Sequence, residues 1–365
     1  MSVMNDGDPV SMRGVLLRGA GDAVLTEVPV PQPGPGEIVL RVDAALTCGT
    51  DAKVFHRGYH ARMLKAPCLF GHEYSGTVHT VGEGVTAFAP GDGVVGANSS
   101  PCGACGYCER GRPALCDELQ FVNGAFAEYM LLPERLVRTN LYARPKGLDP
   151  VHAAATEPIA CVLKGVDIAD PCVDEQIAVI GSGPIALVFV AELCARGVPP
   201  VVFARSEEGA ENARALGART VIRADSILDA LDDVLATTPG GLGFDLVVEA
   251  AGAQETTQIA PELCRKGGRL MLFGGCSAAA AVTWRPALLH YDEISVLSSF
   301  HHTPQHIERA LAAIASGRIP VAPLLESAVG LDDVPAALEA MVSRELRGKV
   351  PVLPGKVQPP KNREP

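Results

Sequence analysis

The sequence predicts an α/β protein of two domains, a compact β domain followed by a doubly wound parallel sheet. Three observations lead there. The chain has 365 residues, too many for one simple core and suited to about two domains of ~150 residues. Its 38 glycines and 29 prolines demand many turns, which suits strands better than a helical bundle. The text also changes character near residue 157, from short interrupted apolar runs to long continuous ones.

Before that change, Gly14-Val-Leu-Leu, Ile38-Val-Leu-Arg-Val, Gly76-Thr-Val-His-Thr-Val and Gly93-Val-Val-Gly are each bounded by Gly, Pro or polar residues. They read as strands of a barrel. After it, strands are expected at 177–180, 200–204, 219–222, 244–249 and 269–273, with helices at 184–196 and 207–216 between them. Continuous Val, Ile and Leu alternating with helices is the pattern of a parallel sheet covered on both faces. Residues 301–354 are expected to hold a helix at 304–316 and then strands ending in Lys349-Val-Pro-Val-Leu. Residues 1–11 and 355–365 lack apolar periodicity and are expected to be disordered tails.

The net charge of −11 disfavours nucleic acid or an anionic membrane as partner. The apolar run 185–193 is broken by Glu192 and is too short to span a bilayer. No charged leader with an apolar stretch is seen, so a cytoplasmic location is expected. Eleven cysteines in such a setting remain reduced, and clustered ones are more readily metal ligands than bridges.

Gly181-Ser-Gly183-Pro184-Ile185-Ala186 follows the first strand of the second half and opens a helix. This is the dinucleotide fingerprint in its required context. Its first glycine makes the tight turn, its second lets backbone approach a pyrophosphate, and the helix N-terminus offers N–H groups to the phosphates. The next strand ends not in the acid that binds the ribose of NAD but in Arg205-Ser206, where an arginine suits a 2′-phosphate. NADP is therefore favoured over NAD. In the alternative, Arg205 stacks on adenine or Glu207 or Glu208 supplies the acid.

Cys102-Gly-Ala-Cys105-Gly-Tyr-Cys108, with Cys116 beyond, gives four thiolates in one loop. That suffices for a closed tetrahedral zinc, structural because no position remains for substrate. A scattered second set comprises Cys48 in Cys48-Gly-Thr50-Asp51, His72-Glu73 in Gly71-His-Glu, and Glu157 in Thr156-Glu157-Pro158. Alone, these read more readily as a buried thiol, a core histidine and a helix-start acid than as ligands.

Together, in this order, the motifs resemble the zinc-containing medium-chain dehydrogenase family from about Arg13 to Leu353. Gly91-Asp-Gly-Val and Gly348-Lys-Val complete the set, and Glu157-Pro-Ile-Ala-Cys-Val most resembles the sorbitol (L-iditol) or polyol dehydrogenase branch. The resemblance implies a GroES-like catalytic domain of 12–160 plus 301–354 and a Rossmann domain of 161–300. It implies that Cys48, His72 and Glu157 or Glu73 hold catalytic zinc, with Glu73 either joining the shell or lying behind it. Asp51 would orient the ligating histidine, and Thr50 would pass on the hydroxyl proton. The family's next relay position is Lys53 here, with His56 further along.

The expected reaction is hydride transfer between NAD(P) and a secondary alcohol or ketone of a polyol, cyclitol or aminocyclitol. A threonine-dehydrogenase-like or simple alcohol dehydrogenase is the alternative, and a non-catalytic zinc- and NADP-binding protein a remoter one. Tyr59, His60, Phe121 and Glu128 are possible substrate contacts, each read more readily as surface or packing. His301-His302 is expected to be solvated. The resemblance also implies a homodimer or homotetramer, formed through the sheet edge near 281–299.

Overall fold

The computed structural model describes residues 9–223, 227, 231–277 and 279–356. The outer parts of both expected tails, 1–8 and 357–365, lie outside the described residues. The chain divides into two compact units. One comprises the described residues up to Pro158 with Thr303–Ala315 and those from Leu325 onward; the other comprises Ile159–His302 with Ser316–Leu324.

The first unit is built on antiparallel strands. Ser11–Gly19 pairs with Asp22–Pro29 around a tight turn in which Gly21 has φ 67°. The main sheet runs Tyr129–Leu132, Ile38–Leu46, Glu73–Val81, Gly93–Gly96, Leu141–Ala143, and Pro351–Val352 also pairs with Ile38–Leu46. Ile38–Leu46 is its organising strand. Ile38, Val39, Leu40, Ala44, Ala45 and Leu46 are fully buried, as expected of a strand with neighbours on both edges and cover on both faces.

Register at the end of that strand brings distant chain segments together. Leu46 stands opposite Glu73 on one side and Pro351 on the other. Residues 47–48, Glu73 and Lys349 therefore meet at one place although the last two are 276 positions apart. Below them Phe70 and Phe126 meet edge to face, with ring centroids 5.9 Å apart, inside a core that includes Val15, Leu17, Leu40 and Tyr74.

The strands expected between 316 and 349 are mostly helices. Val334–Val342 is α-helical, with Val334, Ala337 and Leu338 buried. Those apolar residues recur at i, i+3 and i+4, the spacing of a helix face rather than of a strand. Strand pairing in this last stretch is confined to the short strand Pro351–Val352 and the isolated bridges Leu325–Lys349 and Val329–Val352 among the described residues.

The second unit holds a six-stranded parallel sheet in the order Thr220–Arg223, Val201–Ala204, Ile177–Ile180, Phe244–Glu249, Cys264–Leu272, Ser295–Ser298. Strand order reverses at Ile177–Ile180, which pairs with Val201–Ala204 on one side and Phe244–Glu249 on the other. Ligands of doubly wound sheets sit at the carboxyl ends of strands at such a switch point. The helix Pro184–Ala195 is buried from Ala186 to Leu193, apolar but for Glu192, which Arg196 neutralises at 2.9 Å, as suits a sandwiched helix. Among the described residues no helix is long and apolar enough to cross a membrane.

Candidate metal centres and dinucleotide loop

Cys48 stands at the N-cap of the helix Gly49–Arg57. Its Sγ accepts the N–H of Thr50 at 3.4 Å, and its own N–H donates to Asp51 Oδ2 at 2.8 Å. The other oxygen of Asp51 accepts from His72 Nδ1 at 2.9 Å, in fully buried surroundings. That bond leaves Nε2 as the ring nitrogen for a metal, the arrangement by which a second carboxylate orients a ligating imidazole. Gly71 has φ +89°, and a Cβ there would meet the Phe126 ring at 2.6 Å. Only glycine lets the chain turn His72 inward at this point.

One ligand atom each from Cys48, His72 and Glu73 lies within 4.8 Å of the others. Lys349 Nζ contacts both oxygens of Glu73 at 2.6 and 2.7 Å and donates to Thr47 O at 3.2 Å. Glu157 is 6% exposed in the first turn of the helix Thr156–Ala169, and its charge acts on both Glu73 and Lys349. Burial alone would push the Cys48 thiol up, but the charges of Lys349 and His72 and a hydrogen bond with His72 bring it down to about 7. Burial likewise opposes charge on Lys349, yet Glu73, Cys48 and Glu157 raise it above the ordinary lysine range. A thiol near neutrality, an oriented imidazole and two buried carboxylates are a donor set suited to zinc.

Thr50 is half-buried, whereas Lys53 and His56 are exposed on the same helix. Lys349 escaped the sequence reading as a functional residue. Its only signal was its place in Gly348-Lys-Val, and its partner is distant in sequence.

The four-cysteine loop closes on itself. Its sulfurs lie within 4.8 Å of one another, with Cys102 to Cys108 at 4.0 Å and Cys105 to Cys116 at 3.9 Å. Zinc–sulfur bonds of about 2.3 Å in a tetrahedron require sulfurs about 3.8 Å apart. The N–H of Cys105 donates to Cys102 Sγ at 3.3 Å and that of Cys102 to Cys116 Sγ at 3.2 Å. Backbone N–H groups of Cys108 and Asp117 hold the Cys105 thiol at about 6. The donors and their spacing fit a closed zinc site.

In the second unit, Gly181 has φ +118°, and a Cβ on it would press on Ala250 and Ala251 at 3.3–3.4 Å. Gly183 caps the helix Pro184–Ala195 without a side chain, and Pro184 occupies its first turn with Ile185 following. The opposing loop is fixed by Glu249, fully buried at the end of its strand. Its carboxylate accepts from Ala251 N at 3.1 Å, Gly252 N at 3.0 Å and Thr256 Oγ1 at 2.8 Å. Sequence reasoning missed this residue, although an acid ending the apolar run Phe244-Asp-Leu-Val-Val was a usable signal.

Arg205 is exposed just past Val201–Ala204. Glu207 is engaged by Arg223 at 2.7 Å and Arg214 at 3.2 Å, and Arg223 stands beside Ala204 in the sheet register. Of the possible substrate contacts, Glu128 holds Arg13 through bonds of 2.8–3.0 Å, Tyr59 is 59% exposed and Phe121 lies in a short strand paired with Ser99. His302, expected in solvent, is 2% exposed, and its ring lies 3.9 Å from that of His301, which has φ 63°.

Comparison with known proteins agrees with this geometry. Residues 34–140 match the alcohol dehydrogenase GroES-like domain and residues 184–316 the zinc-binding dehydrogenase domain. The chain is 30% identical to D-arabinitol dehydrogenase 1 of Uromyces fabae, over 92% of this chain and 96% of that protein. It is 31% identical to D-altritol 5-dehydrogenase of Agrobacterium fabrum, over 92% and 100%. L-threonine 3-dehydrogenase of Pyrococcus furiosus is 28% identical over 87% and 92%. A zinc-binding dehydrogenase of Sinorhizobium meliloti 1021, solved bound to NADP, superposes with TM-score 0.84 at 30% identity, covering 94% of this chain and 99% of that one. The chain belongs to the zinc-dependent medium-chain dehydrogenases. It is an oxidoreductase of a small-molecule alcohol.

Proposed function

We propose that this chain interconverts a secondary alcohol and a ketone on a polyhydroxylated substrate, a sugar alcohol, cyclitol or aminocyclitol, with NADP preferred over NAD. The observation that carries the reading is the Cys48–His72–Asp51 arrangement with two buried carboxylates beside it. Zinc, when bound, supplies Lewis acidity towards the substrate oxygen, and the nicotinamide accepts or returns the hydride.

Cys48 and His72 are assigned as ligands of the catalytic zinc. Glu157 is favoured over Glu73 as the third, because Lys349 already engages both oxygens of Glu73. Asp51 orients His72, and the Thr50 hydroxyl takes up the substrate proton. Cys102, Cys105, Cys108 and Cys116 hold a structural zinc. Gly181, Gly183, Pro184 and Ile185 form the pyrophosphate loop.

The polyol assignment draws on the arabinitol and altritol dehydrogenases among the relatives. Threonine dehydrogenases are also among them, so oxidation of a β-hydroxy amino acid is the second reading. A substrate panel containing both decides between them. For the dinucleotide, ion pairing of Glu207 to Arg214 and Arg223 supports NADP: one of the two acids that could read a ribose diol is engaged, Glu208 being the other, and Arg205 is placed for a 2′-phosphate. A preference for NAD of about tenfold or more in kcat/KM would overturn that part, since a charge-assisted phosphate contact is worth about that much. We further assign the protein to the cytoplasm and read it as a homo-oligomer, the latter supported by the edge strand Ser295–Ser298 with Val296 and Tyr291 exposed beside it.

A further inference from the structure

The strands Ile177–Ile180, Phe244–Glu249 and Cys264–Leu272 are neighbours in the parallel sheet, and the loops that follow them lie side by side at its carboxyl end. Glu249 holds the middle loop and borders the third. Its backbone C=O accepts from Phe273 N at 3.0 Å and Gly274 N at 2.8 Å. Its fully buried carboxylate accepts from Ala251 N, Gly252 N and Thr256 Oγ1. Ala250 N donates to Ile180 O at 3.0 Å, and Gly181 passes so close that a Cβ on it would meet Ala251 N at 3.3 Å. On the far side, a Cβ on Gly274 would collide with Gly252 N and come within 2.7 Å of Glu249 Oε2. The loop 250–252 is thus wedged between its two neighbours, and the carboxylate sets its path.

Two successive N–H groups aimed at one oxygen form a nest of the kind that binds anions. Here the chain's own carboxylate fills it, and the hydrogen bonds offset the cost of burying that charge. Phosphate is thereby kept out of the nest. A doubly wound sheet of this strand order consists of two mononucleotide-binding halves that meet at the switch point. The first half, 177–223, carries the loop 181–185 and Arg205, which suit the pyrophosphate and the adenosine. The second half, 244–298, is left for the other mononucleotide, and 250–252 is its first loop.

We propose that Glu249 is a positioning residue for the nicotinamide half of the dinucleotide. By holding the N–H groups of Ala251 and Gly252 it fixes the wall against which the nicotinamide riboside lies, and it leaves the pyrophosphate to the loop 181–185, on whose assignment this role rests. An acid at the end of an otherwise apolar strand, and glycine at 252 and 274, follow from the same arrangement.

The test measures binding of NADPH, NADH and ADP to the zinc-loaded, full-length protein by titration calorimetry, with ADP standing for the adenosine and pyrophosphate half. In Glu249→Gln one oxygen becomes an NH2 group, which only donates and cannot serve the nest. The Kd for NADPH and NADH should rise about tenfold, while that for ADP stays within about twofold of the wild type. Thr256→Val, which removes one bond to the carboxylate, should act in the same direction by about threefold, and it carries the test if Glu249→Gln does not fold. Dinucleotide binding unchanged in the folded variants would overturn the proposal. So would ADP binding weakened as much as that of NADPH, which would make Glu249 a support of the whole sheet. Gly183→Val is the control on the phosphate loop. A Cβ at 183 meets nothing within 4 Å and the backbone there is extended, so the fold accommodates valine, and ADP and both dinucleotides should weaken together. Undiminished ADP binding in Gly183→Val would overturn the loop assignment and the role of Glu249 with it.

Discussion

His72 and Asp51 are joined at 2.9 Å through Nδ1 and Oδ1, while the second oxygen of the same carboxylate holds the backbone N–H of Cys48 at 2.8 Å. One buried acid thus sets the positions of two proposed metal ligands 24 residues apart in sequence, by fixing the imidazole on one side and the helix start on the other. Outer carboxylates of this kind are worth about 10–100-fold in metal affinity. Asp51→Asn should therefore bind catalytic zinc about that much more weakly, as read by competition with a chromogenic chelator. Unchanged affinity would mean that Asp51 serves the helix cap alone.

Lys349 is the counter-charge of a fully buried glutamate. Lys349→Met should destabilise the fold by about 3–5 kcal/mol, because it strands the Glu73 carboxylate without a partner. The double variant Lys349→Met/Glu73→Leu should recover much of that loss. Denaturant unfolding of metal-free protein measures both. A single variant as unstable as its double would contradict the pairing account.

The four-cysteine loop should hold its zinc independently of the catalytic one. Cys105→Ser is expected to lower the metal content by one ion per chain, since loss of one thiolate opens a closed site. The Tm should fall by roughly 5 °C or more, at ~2–4 °C for each kcal/mol in domains of this size. Elemental analysis and a thermal scan test this together. Full metal content with an unchanged Tm would remove the loop from the list of zinc sites.

In the proposed reading, Arg205 carries the dinucleotide preference. Arg205→Ala should lower kcat/KM for NADP by about tenfold or more while moving that for NAD far less. Equal losses with both would assign Arg205 to adenine stacking instead.

How much of this was legible in the sequence depends on the range of each contact. The dinucleotide loop is local: Gly181 turns, Gly183 caps and Pro184 starts the helix within six residues, so the motif carries its own geometry. The cysteine loop is local too. Cys48 and His72 needed the whole pattern of motifs, because each alone reads as core. Lys349 was illegible as a partner. Its role arises from strand register, which brings together residues that no short window contains. The helix Val334–Val342 was misread as strand structure because its Val- and Ala-rich text is ambiguous until its 3.6-residue periodicity is counted.

Metal-dependent oxidation of a polyhydroxylated alcohol is proposed at the Cys48–His72 centre. It is tested most directly by following reduced-nicotinamide absorbance with sugar alcohols, cyclitols, simple alcohols and threonine, using NADP and NAD in turn. Native, chelator-treated and Glu157→Ala protein are compared. Turnover of a polyol or cyclitol is expected, fastest with NADP, lost on chelation, restored by zinc and strongly reduced in Glu157→Ala. Turnover of threonine alone, or polyol turnover that survives complete removal of metal, would contradict it.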